Sequence, residues 1–198
     1  MTNLPARTVD NLVDAHIRAF FEGHGLREHQ WPEGPALEHL PNLRVLEIGP
    51  GPRMQRLTTY VTRGAWAARP EAPLEFLMLT SEPGPRYVEL LTMMAFYANG
   101  YQLGVGHILP IGEPLVPGSA CTCSYLSLPY TFGPELEVLV LPDQTHVHIL
   151  WDMPITEDER GLWRRAGSEA LEQAFEDEEV EYWNPYRPSL RASRAGSP

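Results

Sequence analysis

The chain has 198 residues, a hydrophobic fraction of 43% and a formal net charge of −11, enough apolar content for one ordinary domain with a sizeable core. No apolar run approaches the ~20 residues that span a bilayer, and Met1–Phe21 carries Asp10 and Asp14 where a secretory signal needs an unbroken apolar run, so the expected location is the cytoplasm, with no membrane partner. The acidic balance argues against nucleic acid, which needs a basic face to displace counterions, and favours a basic partner, although net charge also serves solubility.

Thr8–Glu22 predicts the first helix, with Val9, Leu12, Val13, His16, Ile17, Phe20 and Phe21 in one apolar stripe and Gly23 and Gly25 at its end. Arg27–Pro41 is rich in Pro, Gly and His and reads as a connection. Strands are predicted at Arg44–Ile48, at Leu57–Thr62 and at Leu74–Leu79, the last a nearly continuous apolar run suited to the centre of a sheet. A helix starts near Pro85 and runs to Ala98, with Val88, Leu91, Met94, Ala95 and Ala98 inward and Asn99-Gly100 as its stop. Prolines and glycines interrupt Gly104–Pro129, where Ser119–Leu128 is the best strand. Glu135–Leu141 and Thr145–Trp151 predict a strand pair joined by Pro142-Asp143-Gln144. Thr156-Glu157-Asp158-Glu159 is a capping box that opens a helix to Ala166; Gly167 interrupts it and Ser168 caps a second stretch with Ala170, Leu171, Ala174 and Phe175. Single helices among sequence-adjacent strands predict the α+β class, a mixed and mainly antiparallel sheet flanked by helices, as one domain over 1–190 with a disordered tail at 191–198.

Several groups carry candidate chemistry. Val45-Leu46-Glu47-Ile48-Gly49-Pro50-Gly51 resembles the glycine-rich loop of S-adenosylmethionine-dependent methyltransferases, in which glycines let the backbone approach the cofactor. That reading, centred on Glu47–Gly51, needs a following helix, and the β-branched Leu57–Thr62 arrives too soon for one; a β-turn is the simpler account. Cys121 and Cys123, expected on one face of a strand, and His146 and His148 on another could converge on zinc if those strands paired, although Cys-x-Cys on a flat strand is an unusual donor spacing. The cysteines otherwise read as reduced, packed thiols. Ser119 and Ser127 lack a nucleophile elbow, and His107 stands alone in a loop, so no catalytic set is assigned. The run Glu176-Asp177-Glu178-Glu179 with Glu181 lies at a helix C-terminus, where negative charge is unfavourable; it is either a solvated face or a docking patch for a basic partner. Tyr182, Trp183 and Tyr186 read as packing residues of an irregular closing segment.

Five separated stretches resemble one family in order. They are Tyr60-Val61-Thr62-Arg63-Gly64 with Leu74-Glu75-Phe76; Gly106-His107 with Pro117-Gly118-Ser119; Leu126-Ser127-Leu128-Pro129-Tyr130; Pro154-Ile155-Thr156 with Glu159 and Gly167–Leu171; and Asn184-Pro185 with Arg187-Pro188-Ser189. Together, from Leu43 to Leu190, they are similar to Suppressor-of-Fused domain proteins. The resemblance implies a Suppressor-of-Fused-like fold and a non-enzymatic protein-binding role, with no cofactor and no catalytic residues. Animal members of that family hold a transcription factor and carry a further C-terminal region that this chain lacks, so that partner is not implied. Small bacterial members are similar to immunity proteins that neutralise polymorphic toxins by binding them, and the acidic charge suits a basic toxin domain such as a nuclease. The oligomeric state is left open.

Overall fold

The structure, a computed structural model, describes residues 4–190; the expected disordered tail at 191–198 lies outside them. In chain order the elements are α1 (Ala6–Phe20), β1 (Leu26–His29), α2 (Ala36–His39), β2 (Arg44–Ile48), β3 (Thr58–Arg63), a 3-10 turn (Ala65–Ala68), β4 (Leu74–Thr80), α3 (Pro85–Gly100), β5 (Ile108–Pro110), β6 (Cys121–Ser127), α4 (Pro134–Glu137), β7 (Val138–Val140), β8 (His146–Thr156) and α5 (Glu157–Asp177). The strands form one sheet in the order β1-β2-β3-β4-β8-β6-β5, with β7 also paired to β8. Every pairing is antiparallel except β4 with β8, which is parallel. Among the described residues, no helix is long and apolar enough to cross a membrane.

Both faces of the sheet are covered, which explains why β4 reads as a continuous apolar run. Phe76 and Met78 point into a core shared with α3, while Leu77 and Leu79 point into a second core shared with α1 and α5. Strand alternation thus sends neighbouring residues into different cores. The helix stripe read in the sequence is buried as expected at Val9, Val13, Ile17 and Phe20. Asp10 sits within it because its carboxylate accepts the Trp66 indole N–H at 2.8 Å. A buried polar group paired in this way avoids most of its desolvation cost.

Two segments differ from expectation. Arg27–Pro41 holds β1 and α2, not only a connection. β1 has no apolar alternation because it is an edge strand with Arg27 and Glu28 exposed, and only backbone pairing to β2 defines it. Glu135–Leu141 is not one strand: Pro134 at the first helical position starts the α4 turn, and pairing with β8 begins at Val138.

Phe76 is fully buried between β4 and α3. Phe76→Ala is expected to destabilise the domain by about 3–5 kcal/mol in urea denaturation, the usual cost of an aromatic-sized cavity; a loss below about 1 kcal/mol would show that the site collapses.

Candidate functional site

The glycine turn after β2 does not continue into a helix. β2 and β3 form an antiparallel pair, with Ile48 opposite Thr59, so the βαβ unit of a methyltransferase is absent and that reading is corrected. The turn is instead built around His24. His24 Nδ1 donates to the Gly49 carbonyl at 2.8 Å, and its Nε2 accepts the Arg53 N–H at 3.1 Å. A Cβ on Gly51 would lie 2.6 Å from the His24 ring, so the glycine accommodates the imidazole. Glu47 is held by His29 Nε2 at 2.8 Å.

The zinc reading is corrected by register. β6 and β8 do pair, but Cys123 lies opposite Ile155, whereas His146 and His148 pair with β7 at the other end of β8. From His148 to Ile155 the strand rises about 23 Å. The two cysteines also fail to share a face: the register shifts between them, and this bulge sends Cys121 into the α3 core and Cys123 into the α5 core. Among the described residues no group of three or more His, Cys, Asp or Glu could hold a metal ion. The hydroxyls and ring considered for catalysis are otherwise engaged: Ser119 Oγ donates to Pro185 O, Ser127 Oγ donates to Glu172 at 3.1 Å, and His107 Nδ1 donates to Gly104 O at 2.9 Å.

Residues of the motifs described above converge on buried polar clusters. Glu75 of the Glu-Phe pair accepts from Thr62 Oγ1 and from the N–H groups of Gly64, Ala65 and Trp66 at 2.8, 3.1 and 3.3 Å. It thereby fastens the turn after β3 to β4. Burial pushes its carboxyl up to about 7, and those four donors oppose that shift.

The second cluster joins the end of the sheet to the closing segment. Thr156 and Glu159 form the expected capping box. Glu159 has a further duty that local spacing does not show. Its two oxygens accept Arg187 Nη1 and Nη2 at 2.6 and 2.7 Å, with both side chains almost fully buried. Arg187 also donates to the carbonyls of Pro154 at 2.9 Å and Pro188 at 3.2 Å. Leu190 N–H reaches Glu159 at 3.2 Å, and the hydroxyls of Thr156 and Ser189 lie 2.7 Å apart.

Asp152 stands apart from these. It lies in the middle of β8 opposite Leu126, fully buried, and neither carboxylate oxygen has a hydrogen-bond partner. Burial pushes its carboxyl up to about 7; the nearby Ser124 hydroxyl opposes that shift but does not reach hydrogen-bonding geometry.

The acidic run lies at the far end of α5 from Glu159, yet the two ends of that helix come close to the same Arg187. Gly167 has φ 85° and breaks α5 into two helical halves. In a straight helix Glu159 and Phe175 would be about 24 Å apart; here Arg187 bonds Glu159 while its guanidinium carbon lies 5.9 Å from the Phe175 ring. The returning half lays Glu172, Phe175 and Glu176 beside Ser127, Tyr130, Trp151 and Tyr182, around a cleft of about 350 Å³. Glu176, Asp177, Glu178, Glu179 and Glu181 are all exposed at this corner. Asp177 accepts from Gln173 at 2.9 Å and Glu181 from Asn184 at 3.2 Å. Of the acidic run only Glu176 reaches the cleft; Glu172 and Trp151, which face it, carry no local sequence signal.

The suppressor of fused protein (SUFU) family profile matches residues 40–188. None of the curated proteins compared with the chain matches it. Among solved structures, the chain is similar to a suppressor of fused homologue from Neisseria gonorrhoeae, with 28% identity over 94% of this chain and 99% of that one and a TM-score of 0.81. It shares its fold with a chain of the Sufu–Fu complex at 15% identity, covering 92% of this chain and 91% of that one, with a TM-score of 0.67. Drosophila Suppressor of Fused matches at 14% identity over 83% of this chain and 42% of its own length, with a TM-score of 0.55.

Two outcomes follow from the buried charges. Arg187→Met strands the Glu159 carboxylate, and a loss of about 3–5 kcal/mol is expected in chemical denaturation; the added change Glu159→Leu should recover part of it, since removing both charges removes the stranded one. For Asp152, the folded carboxyl titrates at about 7, above the unfolded value of about 4. Between these values the folded state binds more protons, so stability falls as pH rises, by up to ~1.4 kcal/mol per pH unit, and levels off above about pH 7. Asp152→Asn should flatten that part of the curve relative to the parent; identical slopes would show that Asp152 is ionised in the fold.

Proposed function

The chain belongs to the suppressor of fused family, and on that premise we propose that it is a non-enzymatic protein-binding domain that acts in the cytoplasm as an immunity protein, neutralising a polymorphic toxin by direct binding. The observation that carries the reading is the acidic corner at the end of α5. Among the described residues, Glu172, Glu176, Asp177, Glu179 and Glu181 form no ion pair, whereas Asp14, Glu28, Glu89 and Glu157 are matched by Arg18, Arg63, Arg86 and Arg160. Negative charge gathered at a helix C-terminus is locally unfavourable, because it faces the negative end of the helix dipole. A basic partner reverses that penalty and is drawn in by the long-range field.

Two further facts support a binding role over catalysis. The motif serines, threonines, glutamate and arginine are spent on fastening the fold, as described for Ser119, Thr156, Glu159 and Arg187. A fold relative has been solved in the Sufu–Fu complex. A basic toxin domain is the partner that this corner suits best.

Co-expression with any toxin domain encoded beside the gene tests the proposal. Protection and a stable complex are expected, with association slowed by salt. A variant carrying Glu176→Lys, Asp177→Lys and Glu179→Lys should associate at least ~tenfold more slowly. Full protection by that variant would move the binding face elsewhere, and absence of both complex and protection would remove the immunity role.

A further inference from the structure

Four aromatic side chains and two carboxylates meet in the cleft between β6, β8 and the second half of α5. Tyr130 is 62% exposed at its rim, Trp151 is 3% exposed at its base, and Phe175 and Tyr182 close the far side. Trp151 and Tyr182 pack edge to face with centroids 5.3 Å apart, and Tyr182 packs likewise on Phe175 at 5.5 Å. Glu172 and Glu176 add charge to the same walls. We propose that this cleft is a receptor for a single arginine side chain presented on an extended segment of the basic protein partner; the proposal rests on the protein-binding reading above and names the chemistry that the acidic corner recognises.

The cleft calls for a cation. Glu172 Oε1 already accepts from Tyr125 and Ser127 at 2.8 and 3.1 Å, which fixes the carboxylate without neutralising it. Neither Glu172 nor Glu176 has a basic partner among the described residues. Arg187, whose guanidinium carbon lies 5.9 Å from the Phe175 ring, is neutralised by its bidentate pair with Glu159. The resulting field is legible at Tyr182, whose phenol is pushed up first by burial and then by Glu176, with Glu172 adding to the shift and Arg187 opposing it.

The shape selects guanidinium over ammonium. A planar guanidinium stacks on aromatic faces while donating a fork of hydrogen bonds to a carboxylate, and a lysine ammonium cannot do both. The chain uses the first contact internally, where Arg53 lies 4.1 Å from the centroid of the Phe20 ring. A volume of about 350 Å³ takes one long side chain with its flanking backbone, not a helix.

Trp151 supplies the reason to expect polypeptide instead of a free amine. Its indole Nε1 is buried and donates to nothing. A buried donor left unmade costs about 1–3 kcal/mol. A main-chain carbonyl beside the inserted arginine would accept that hydrogen and recover the cost on binding.

The test uses the full chain labelled with nitrogen-15 and three small probes at constant ionic strength: N-acetyl-arginine N-methylamide and its citrulline and lysine counterparts. The readout is the Trp151 indole N–H resonance, identified by its loss in Trp151→Phe. A saturable shift with the arginine probe is expected, at least ~tenfold weaker with citrulline, which keeps the shape and loses the charge. The response should weaken in Glu176→Gln, an exposed change that leaves the fold intact, and disappear when Glu172→Gln is added. No saturating shift at Trp151, equal affinity for citrulline, or an unchanged response in Glu176→Gln would overturn the proposal; equal affinity for the lysine probe would overturn the choice of arginine. Protection from toxin with a silent Trp151 would leave the protein-binding role standing and remove the arginine receptor alone.

Discussion

The Glu159–Arg187 pair is the interaction on which the rest of the domain closes. Two opposite charges are taken almost wholly out of water, at 0% and 3% side-chain exposure. Such a pair is tolerable only when its geometry is bidentate and its remaining hydrogen-bonding capacity is used. Here the carbonyls of Pro154 and Pro188 and the N–H groups of Thr156 and Leu190 supply most of that use, and the Arg187 Nε–H alone of its five donors is left unpaired. The pair therefore gathers the end of β8, the first turn of α5 and the irregular segment through Leu190 at one point. Ser119 extends the grip by reaching Pro185 from the loop before β6. The energetic return of a buried ion pair over a hydrophobic substitute is small, so its value here lies in specificity: a segment with no regular structure acquires one position.

Glu75 does the same work on the other half of the sheet. One carboxylate satisfies the hydroxyl of Thr62 and three successive backbone N–H groups, and Thr62 in turn accepts from Phe76 N–H at 2.8 Å. A short turn without side-chain capping of its own is thereby locked between β3 and β4. The two clusters explain why polar residues recur in a chain whose sheet is buried on both faces. They solve the backbone accounting that a two-sided core creates.

Much of this was legible in the sequence where the signal is local. Arg44–Ile48 and Leu74–Leu79 announce themselves by apolar pattern, the helix from Pro85 by its first-turn proline and inward stripe, and the start of α5 by Thr156 and Glu159. Features fixed by partners far along the chain were not. β1 exists through pairing alone. The opposite facing of Cys121 and Cys123 depends on a bulge that a period-two reading cannot contain. Asp10 interrupts the apolar pattern of Met1–Phe21, and the partner that lets it be buried, Trp66, lies 56 residues on. The spacing to Thr156 accounts for Glu159 as a cap, but not for its pairing with Arg187, 28 residues away in sequence. In the same way the acidic run is obvious in the chain, while the company it keeps at Glu172 and Trp151 depends on how α5 returns over the sheet.

That return hangs on one residue. Gly167 takes a left-handed backbone conformation, with φ 85° and ψ −179°, that an L side chain would strain. Beyond it, each inserted or deleted residue would turn the helical face by about 100° and swing Phe175 off its seat near Arg187 and Tyr182. Substitutions at solvent positions such as Glu176 disturb none of this. The domain is thus rigid in the length of its last half-helix and permissive in that segment's outward chemistry. Such an arrangement lets the outer face diversify by point changes alone, with the clasp beneath it untouched.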